Sequence, residues 1–301
     1  MKRLFPLLMI AILSAGLTAC SSAPTVDEPS LAEESSEMEP ETLGAEEMQE
    51  STIRMALGLA AEGDHRPEEH RMRNQYRNPV ETLEFFGLQP DQTVVELSPG
   101  RGWYTEVLAP VLAEEGTLIA GAFRFDPDDH ENYMSQIGSS YVALLEGNPE
   151  IYSGVHMGLF APPAEVEIGE PESADLVLSF RNMHGWNNRG IIADAFSAVY
   201  EVLKPGGVFG VVTHRAAEGS DPAETSPRGY LPESFVIEMA ESAGFVLDSR
   251  SEVNANPLDT RDHEHGVWSL PPTLRGGEES AETFLEIGES DRMTLRFVKP
   301  S

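Results

Sequence analysis

Two stretches of the sequence carry side chains suited to proton transfer or ligand binding. The first is Arg181-Asn182-Met183-His184, which follows an apolar run at 174–180 that predicts a strand covered on both faces. A histidine can take up a proton near neutral pH, and an asparagine amide can orient a ligand. We therefore predict that His184 is a general base and that Asn182 orients the reacting group. The alternative for both side chains is that they cap the following helix or bond to the backbone.

The second stretch is a glycine turn, Glu96-Leu97-Ser98-Pro99-Gly100-Arg101-Gly102-Trp103. It follows the strongest strand prediction, 93–97, and precedes a segment with helical apolar spacing. Glycines let the backbone approach a ligand closely, and a helix N-terminus has free N–H groups. The candidate ligand contacts in this turn are Glu96, Ser98, Gly100, Gly102 and Trp103. For Trp103, packing of the first helix is an equal alternative.

Composition excludes several classes of partner and site. The chain has 301 residues, of which 40% are hydrophobic, so most of it can bury a core. Acidic residues number 51 against 20 Lys and Arg, and the net charge is −31. Nucleic acids and anionic membrane surfaces are bound through Lys and Arg, so neither is expected as an electrostatic partner. The single cysteine, Cys20, excludes a disulfide framework and cysteine-based metal centres within the chain. We predict no metal site, because the polar segment 262–265 has no matching ligands elsewhere.

The N-terminus has the pattern of an export signal. A short cationic start precedes ten uncharged, mostly apolar residues at 4–13, a run too short to span a bilayer. The tetrapeptide Leu17-Thr18-Ala19-Cys20 resembles the lipobox of bacterial lipoproteins. This resemblance implies a signal peptide over 1–19, lipidation at Cys20 and, from Ser21, an outer-membrane location facing the periplasm. The alternative is a plain secreted protein.

A highly acidic segment follows the cysteine. Residues 23–50 contain ten acidic residues and no basic ones, a composition that favours an extended, unfolded chain. We predict a tether over 20–50 and a folded domain over 51–301. Contact with the membrane is then through the N-terminal lipid only, and nothing in the pattern predicts an oligomeric state.

The folded part alternates between strand-like and helix-like segments. The predicted strands are 93–97, 118–123, 174–180, 208–213, 245–247 and 293–298, and the predicted helices are 79–86, 104–112, 191–203 and 232–243. Such alternation predicts βαβ units and an α/β, Rossmann-like, doubly wound fold with a mostly parallel sheet. Ligands bind outside the carboxyl ends of such strands, where both candidate stretches lie. His214 and Arg215, after the strand at 208–213, are a further candidate pair at this edge.

A resemblance to class I S-adenosylmethionine-dependent methyltransferases is carried by two segments. Their first motif is similar to Val94-Val95-Glu96-Leu97-Ser98-Pro99-Gly100-Arg101-Gly102, and their turn before the fifth strand is similar to Leu203-Lys204-Pro205-Gly206-Gly207-Val208. The resemblance implies a seven-stranded sheet with a final antiparallel strand and S-adenosyl-L-methionine as the cofactor. It also implies that Glu96 and the glycine turn face the amino-acid end of that cofactor, and that 181–184 lies beside the transferred methyl group.

The chain also resembles a narrower group of bacterial predicted methyltransferases over about residues 53–299. The similar segments are 66–71, 77–79, 85–87, 98–100, 103–106, 179–186, 256–257 and 295–297. Within them, Arg71 and Arg77 lie on a segment that could fold over the cofactor, and Arg181 could hold an acidic acceptor. Pairing with carboxylates is the expectation for all three arginines, because acidic residues are so abundant in this chain.

Two positions depart from the pattern of the superfamily. Ser98 stands where the superfamily has its first glycine, and a positive φ costs a non-glycine residue about 1–2 kcal/mol. We therefore expect Ser98 to adopt an ordinary β conformation, with Pro99 stiffening the turn. The acid that holds the ribose hydroxyls in the superfamily should fall at Ala122, and the next carboxylate, Asp126, comes four residues later.

Two functions are compatible with these patterns. The first is an S-adenosylmethionine-dependent methyltransferase that acts on an unknown, small-molecule acceptor. The second is a lipid-anchored, non-catalytic ligand-binding module on the same fold. The second is suggested by the export signal, because the sulfonium cofactor is not expected to be available outside the cytoplasm. A nicotinamide-dependent oxidoreductase is disfavoured by the turn at 203–208.

Overall fold

The computed structural model describes residues 45–301, without the side chains of residues 45–48 and 278–280. The predicted signal peptide, Cys20 and the tether up to residue 44 lie outside the described residues. The first described element, helix α1, runs over Ala45–Glu62 and therefore includes the last six residues that their charge assigned to the tether. Its residues Ile53 and Leu57 are buried in the core, which explains why the helix belongs to the folded domain.

Eight strands form a single sheet. They are β1 (Thr93–Leu97), β2 (Thr117–Ala122), β3 (Val155–Ala161), β4 (Glu165–Glu167), β5 (Ala174–Phe180), β6 (Leu203–His214), β7 (Val246–Ser251) and β8 (Arg292–Val298). Their order across the sheet is β4-β3-β2-β1-β5-β6-β8-β7. The strands from β3 to β6 in this order run parallel, whereas β4 and β8 are antiparallel to their neighbours.

The mostly parallel α/β sheet with an antiparallel final strand is confirmed, but the expected number of seven strands is wrong. The additional strand is β4, which forms a short hairpin with the end of β3. Neither β3 nor β4 was predicted from the sequence. Strand β3 lies near the edge of the sheet, where His156 and Met157 are exposed, so it lacks the continuous apolar run of a central strand.

Helices lie on both faces of this sheet. Besides α1 they are α2 (Glu68–Arg71), α3 (Asn74–Arg77), α4 (Pro79–Phe86), α5 (Thr105–Leu112), α6 (Tyr133–Gly147), α7 (Pro149–Tyr152), α8 (Met183–Asn188), α9 (Ile192–Val202), α10 (Pro222–Thr225), α11 (Glu233–Ser242) and α12 (Glu278–Ile287). None of the helices within 45–301 is long and apolar enough to cross a membrane.

The core consists of two apolar clusters separated by the sheet. One cluster contains Val95 together with buried side chains of α8, α9 and α11, and the other contains Val94 with those of α1, α4 and α5. Adjacent residues of a strand point to opposite faces, so the sheet is covered on both sides. The carboxyl edge of β1, β5 and β6 is the part of the sheet that this arrangement leaves open to a ligand.

Candidate active site

A cavity of about 450 Å³ opens at the carboxyl ends of β1, β5 and β6. It lies between the glycine turn and the residues after β5, at the edge of the sheet that the sequence predicted. The predicted residues that line it are Glu96, Ser98, Gly100, Trp103, Asn182, His184 and His214. Of the predicted contacts in the turn, Gly102 alone does not line this cavity.

Glu96 is buried at the end of β1 with its carboxyl group facing the cavity wall. Its side chain is 2% exposed, and the Thr105 hydroxyl donates to Glu96 Oε2 over 2.6 Å. Burial raises the pKa of Glu96 to about 8, although the hydrogen bond from Thr105 lowers it. The carboxyl group is therefore protonated at neutral pH in the free protein, and a ligand ammonium group beside it would favour the charged form.

The backbone of the glycine turn is left-handed at Ser98, Gly100 and Gly102, with φ values of 48°, 65° and 87°. The expectation of a β conformation at Ser98 is therefore wrong. The Ser98 N–H still donates to Gly121 O in β2, while the Gly102 N–H already donates to Pro99 O. The chain must leave the sheet and close a turn within the five residues from Ser98 to Gly102, and this imposes the positive φ on the serine.

The two glycines of the turn have different surroundings. A side chain at Gly100 would meet no atom within 4 Å, so the backbone there is accessible to a ligand. At Gly102, a Cβ would collide with Leu144 and lie 3.2 Å from the ring of Tyr141. Gly102 thus allows the turn to pack closely against α6.

Trp103 is held by two arginines at the start of α5. The guanidinium carbons of Arg66 and Arg77 lie 4.7 and 4.6 Å from its ring centroid, and its indole N–H donates to His70 O over 3.1 Å. The indole packs against the segment before the first strand and also lines the cavity, so both roles that the sequence left open stay compatible with its position.

Asn182 links the two central strands at the cavity. Its amide Nδ2 donates to Leu97 O, at the end of β1, over 2.8 Å. The side chain makes no capping hydrogen bond to α8, but its bond to Leu97 O is the backbone contact that the alternative to a ligand-binding role predicted. The amide is fixed in position beside the glycine turn, as an orienting residue requires.

His184 lies in the first turn of α8 and faces the cavity. Burial, and then the charge of Arg181, lower its pKa to about 4, so the imidazole is neutral at physiological pH. Its Nδ1 atom is buried and has no hydrogen-bond partner among the described residues. This nitrogen has almost no accessible surface, so a bond from it to a ligand requires the imidazole ring, which lines the cavity, to turn.

His214, at the end of β6, lies beside His184, with their ring centroids 5.9 Å apart. The Nδ1 atom of His214 is 2.5 Å from the hydroxyl oxygen of Ser290, which also lines the cavity. Ser290 immediately precedes Asp291 and β8, at a position that no motif in the sequence marked. It reaches the site only because β8 pairs with β6.

Only some of the arginines form the expected ion pairs with carboxylates. Arg71 pairs with Asp64 and Glu68 on the surface, as expected. Arg77 is buried and binds Glu289 through Nε, but both of its terminal nitrogens lack partners among the described residues. Arg181 forms no ion pair within the described residues, contrary to the expectation, because the nearby carboxylate of Glu289 is already bound by Arg73, Arg77 and Arg292.

The surroundings of β2 do not match the adenosyl half of S-adenosylmethionine. Ala122 ends β2, as expected, and no carboxylate lies in the small cavity of about 10 Å³ beside it. Phe125 packs against Gly138 and, with Tyr141, fills this space. Asp126 accepts a hydrogen bond from the Asp128 backbone on the exposed loop. The site fits the amino-acid half of the cofactor at Glu96 and Gly100, whereas a nucleoside beside Ala122 requires Phe125 to move.

The described residues contain no cluster of three or more His, Cys, Asp or Glu side chains placed to hold a metal ion. In the polar segment 262–265, His263 is buried and bonds through Nε2 to Asp259 over 2.8 Å. That histidine has a structural partner within its own loop.

Comparison with known proteins identifies the fold. No protein-family model and no curated protein matches the sequence. Among solved structures, the geranyl diphosphate C-methyltransferase of Streptomyces coelicolor A3(2), in complex with Mg²⁺, geranyl diphosphate and S-adenosyl-L-homocysteine, is similar with a TM-score of 0.51. It is 12% identical over 80% of this chain and 87% of its own.

Two further structures have lower scores. A SAM-dependent methyltransferase from Aquifex aeolicus is 13% identical over 83% of this chain and 98% of its own, with a TM-score of 0.48. The phosphoethanolamine N-methyltransferase 2 of Haemonchus contortus, in complex with S-adenosyl-L-methionine, is 17% identical over 75% of this chain and 53% of its own, also at 0.48. At these identities the likeness concerns the fold, which is the Rossmann-like α/β fold of SAM-dependent methyltransferases.

Because the pKa of Glu96 is raised in the folded protein, we expect the free energy of unfolding to depend on pH. Between pH 4.5 and about 8 the folded chain holds a proton on Glu96 that the unfolded chain has released. Stability therefore falls with rising pH by about 1.4 kcal/mol per pH unit from this group. Glu96→Gln removes this dependence, so the variant should gain stability over the unmodified chain as pH rises from 5 to 8.

Urea unfolding at several pH values measures this difference. Glu114→Gln, on an exposed loop, changes the same charge without the burial and is the control. If the difference in the free energy of unfolding between Glu96→Gln and the unmodified chain stayed constant with pH, the raised pKa of Glu96 would be contradicted.

Proposed function

We propose that this protein is an S-adenosylmethionine-dependent methyltransferase that acts on a small-molecule acceptor. The observation that carries the proposal is the cavity of about 450 Å³ between the accessible backbone of Gly100 and the side chains of Asn182 and His184. The cavity lies where ligands bind in doubly wound sheets, and the buried Glu96 stands at its wall. The methyltransferase fold of the structural neighbours is consistent with the proposal.

The residues at β1 would hold the amino-acid half of the cofactor. Glu96 would accept hydrogen bonds from its ammonium group, and the Gly100 backbone would lie against it without a side chain between them. When bound, S-adenosyl-L-methionine supplies a methyl group on a positively charged sulfur. Displacement at such a group depends mainly on alignment of the reacting atoms, which rigid flanking residues provide.

Asn182 and His184 act on the side of the acceptor in this proposal. The Asn182 amide is fixed by its bond to Leu97 O and can orient an acceptor with its remaining oxygen. His184 is unprotonated at neutral pH and would take the proton that an acceptor loses at its unpaired Nδ1, although a pKa of about 4 makes it a weaker base than an ordinary histidine. The indole of Trp268, with its ring centroid 5.9 Å from that of His184, helps to exclude water from this end of the cavity.

The non-catalytic binding module remains the second candidate, and one observation favours it. The end of β2 has neither a ribose-binding carboxylate nor an open space, since Phe125 and Tyr141 occupy it. A ligand-binding module would use the main cavity alone and would need no nucleoside site. The two candidates therefore differ in whether the chain binds the nucleoside-bearing cofactor.

Calorimetry separates these candidates. In the full chain, S-adenosylmethionine and S-adenosylhomocysteine should bind with micromolar affinity, and Phe125→Ala should tighten both because no ring has to leave the space beside Ala122. Phe284→Ala, a half-buried phenylalanine on α12, is the matched control and should leave both affinities unchanged. Absence of binding by both well-folded chains would reject the methyltransferase in favour of the binding module.

A second variant tests the base. His184→Gln should lower the rate of S-adenosylhomocysteine formation with small amine and hydroxyl acceptors by about 10²–10⁴-fold, the usual contribution of general base catalysis. The affinity for S-adenosylhomocysteine should change little, because the imidazole is assigned to the acceptor. His130→Gln, on an exposed loop, is the control. An unchanged rate in His184→Gln would remove the histidine from this role.

We also propose that the chain is anchored through lipid on Cys20 to the outer membrane, facing the periplasm. The support is the lipobox-like tetrapeptide 17–20, which contains the single cysteine of the sequence. Radiolabelled palmitate fed to expressing cells should label the full chain but not Cys20→Ser, and the variant should move to the soluble fraction. Equal membrane association of both chains would contradict the anchor.

A further inference from the structure

The cavity has a charge opposite to that of the protein as a whole. Its lining contains four arginines, Arg73, Arg77, Arg101 and Arg181, but only two carboxyl groups, those of Glu96 and Glu289. Burial raises the pKa of Glu96 to about 8, so this group contributes no full negative charge at neutral pH. The whole chain has a net charge of −31, so its composition does not explain an excess of cations in the cavity. The fold brings these arginines together.

Two of these arginines present unused donors. Arg73 and Arg77 both bind Glu289 through Nε, over 2.6 and 3.1 Å. One terminal nitrogen of Arg73 and both terminal nitrogens of Arg77 are buried without a hydrogen-bond partner among the described residues. Buried polar groups are almost always bonded, and an unmet guanidinium donor is especially costly. The planar guanidinium group of an arginine can donate two parallel hydrogen bonds to the oxygens of a carboxylate or a phosphate.

Arg181 adds a third donor with no counter-charge of its own. No carboxylate of the described chain lies within ion-pair distance of its guanidinium group, which faces the cavity beside Asn182 and His184. Its backbone is also left-handed, with φ at 64°. An unpaired charge and a strained backbone both oppose stability, and such costs are found where a site needs a group in one place.

The charges do not balance within the protein. Arg73, Arg77, Arg181 and Arg292 surround the single carboxylate of Glu289, which leaves an excess of about three positive charges if each group is ionised. The carboxylate of one amino-acid ligand would offset only one of them. The cluster can therefore accommodate a further anionic group beside His184.

We propose that Arg73, Arg77 and Arg181 bind an oxyanion group, a carboxylate or a phosphate, of the molecule that accepts the methyl group. This inference rests on the proposed function for the identity of the acceptor, but the anion site itself does not. The oxyanion accepts hydrogen bonds from the unpaired terminal nitrogens of Arg73 and Arg77, and its negative charge offsets that of Arg181. It thereby places the acceptor against Asn182 and His184, which follow Arg181 in the sequence.

The experiment uses the full chain and two simple probes, inorganic phosphate and acetate, in Tris chloride buffer without other oxyanions. Calorimetry should detect binding of at least one probe, and the stronger of the two distinguishes a phosphate from a carboxylate acceptor. Arg181→Met should weaken that binding by about tenfold or more, the usual loss for a hydrogen bond to a charged group. The same variant should melt at a higher temperature without the probe, because an uncompensated buried cation is removed.

Arg189→Met is the matched control. This arginine also belongs to the α8 region but lies on the surface, where it donates to Gly185 O, outside the cavity. It should leave probe binding unchanged. Failure of both probes to bind, or equal binding by Arg181→Met and the unmodified chain, would overturn the anion site. The higher melting temperature of Arg181→Met shows that loss of binding is not loss of folding.

A competition arm separates this inference from the proposed function. Probe binding that persists with saturating S-adenosylhomocysteine supports an acceptor site, whereas displacement of the probe would assign the arginines to the cofactor carboxylate and overturn the inference. If S-adenosylhomocysteine does not bind, the proposed function fails. The response of the probe to Arg181→Met still decides whether the anion site exists.

Discussion

The buried carboxylate of Glu289 connects the segment before the first strand to the start of β8. Nitrogens of Arg73, Arg77 and Arg292 lie 2.6, 3.1 and 3.3 Å from its oxygens. Although burial opposes its ionisation, the surrounding arginines hold the pKa of Glu289 well below its usual range. Loss of this charge would leave several arginines buried together, which is strongly unfavourable. The segment before the first strand is therefore fixed against the start of β8, and this contact forms one wall of the cavity.

A second carboxylate attaches the same segment to the helix after the glycine turn. Glu106 in α5 binds Arg66 Nε over 3.1 Å and His70 Nδ1 over 2.9 Å, in an almost fully buried arrangement. Trp103 lies between the two clusters, in contact with the guanidinium groups of Arg66 and Arg77. The glycine turn is thus held by polar contacts to the segment before the first strand as well as by its hydrogen bond to the sheet. Such a rigid arrangement is suited to a reaction that depends on alignment.

The electrostatic field within the cavity differs from that of the surface. Most acidic side chains whose exposure the structure describes are exposed, where water and salt screen them. Of the arginines that line the cavity, Arg77 is buried and Arg73 and Arg181 are half-buried, so their charges are screened less than those on the surface. A net charge of −31 excludes a polyanionic surface partner, yet it does not exclude an anionic ligand in the interior. The local arrangement of a few buried cations outweighs the composition of the whole chain.

The sequence determined the central strands of the sheet and one side of the site, because these depend on short segments. Strands β1 and β5 lie at their predicted positions, and Glu96, Gly100, Asn182 and His184 follow them at the expected edge. Parallel strands bring their carboxyl ends together, so local patterns suffice for this part. The sequence did not predict the left-handed Ser98, since that conformation results from simultaneous pairing with β2 and closure of the turn.

Only the tertiary structure decided the cationic wall of the cavity. Arg77 and Glu289 are more than two hundred residues apart, and Arg181 differs from the paired arginines only in what the fold places around it. No local pattern records which arginine finds a carboxylate, because an ion pair between distant segments depends on the packing of the strands and helices that carry them. Local periodicity encodes secondary structure, whereas the charge inside a cavity arises from contacts that form only when the chain has folded.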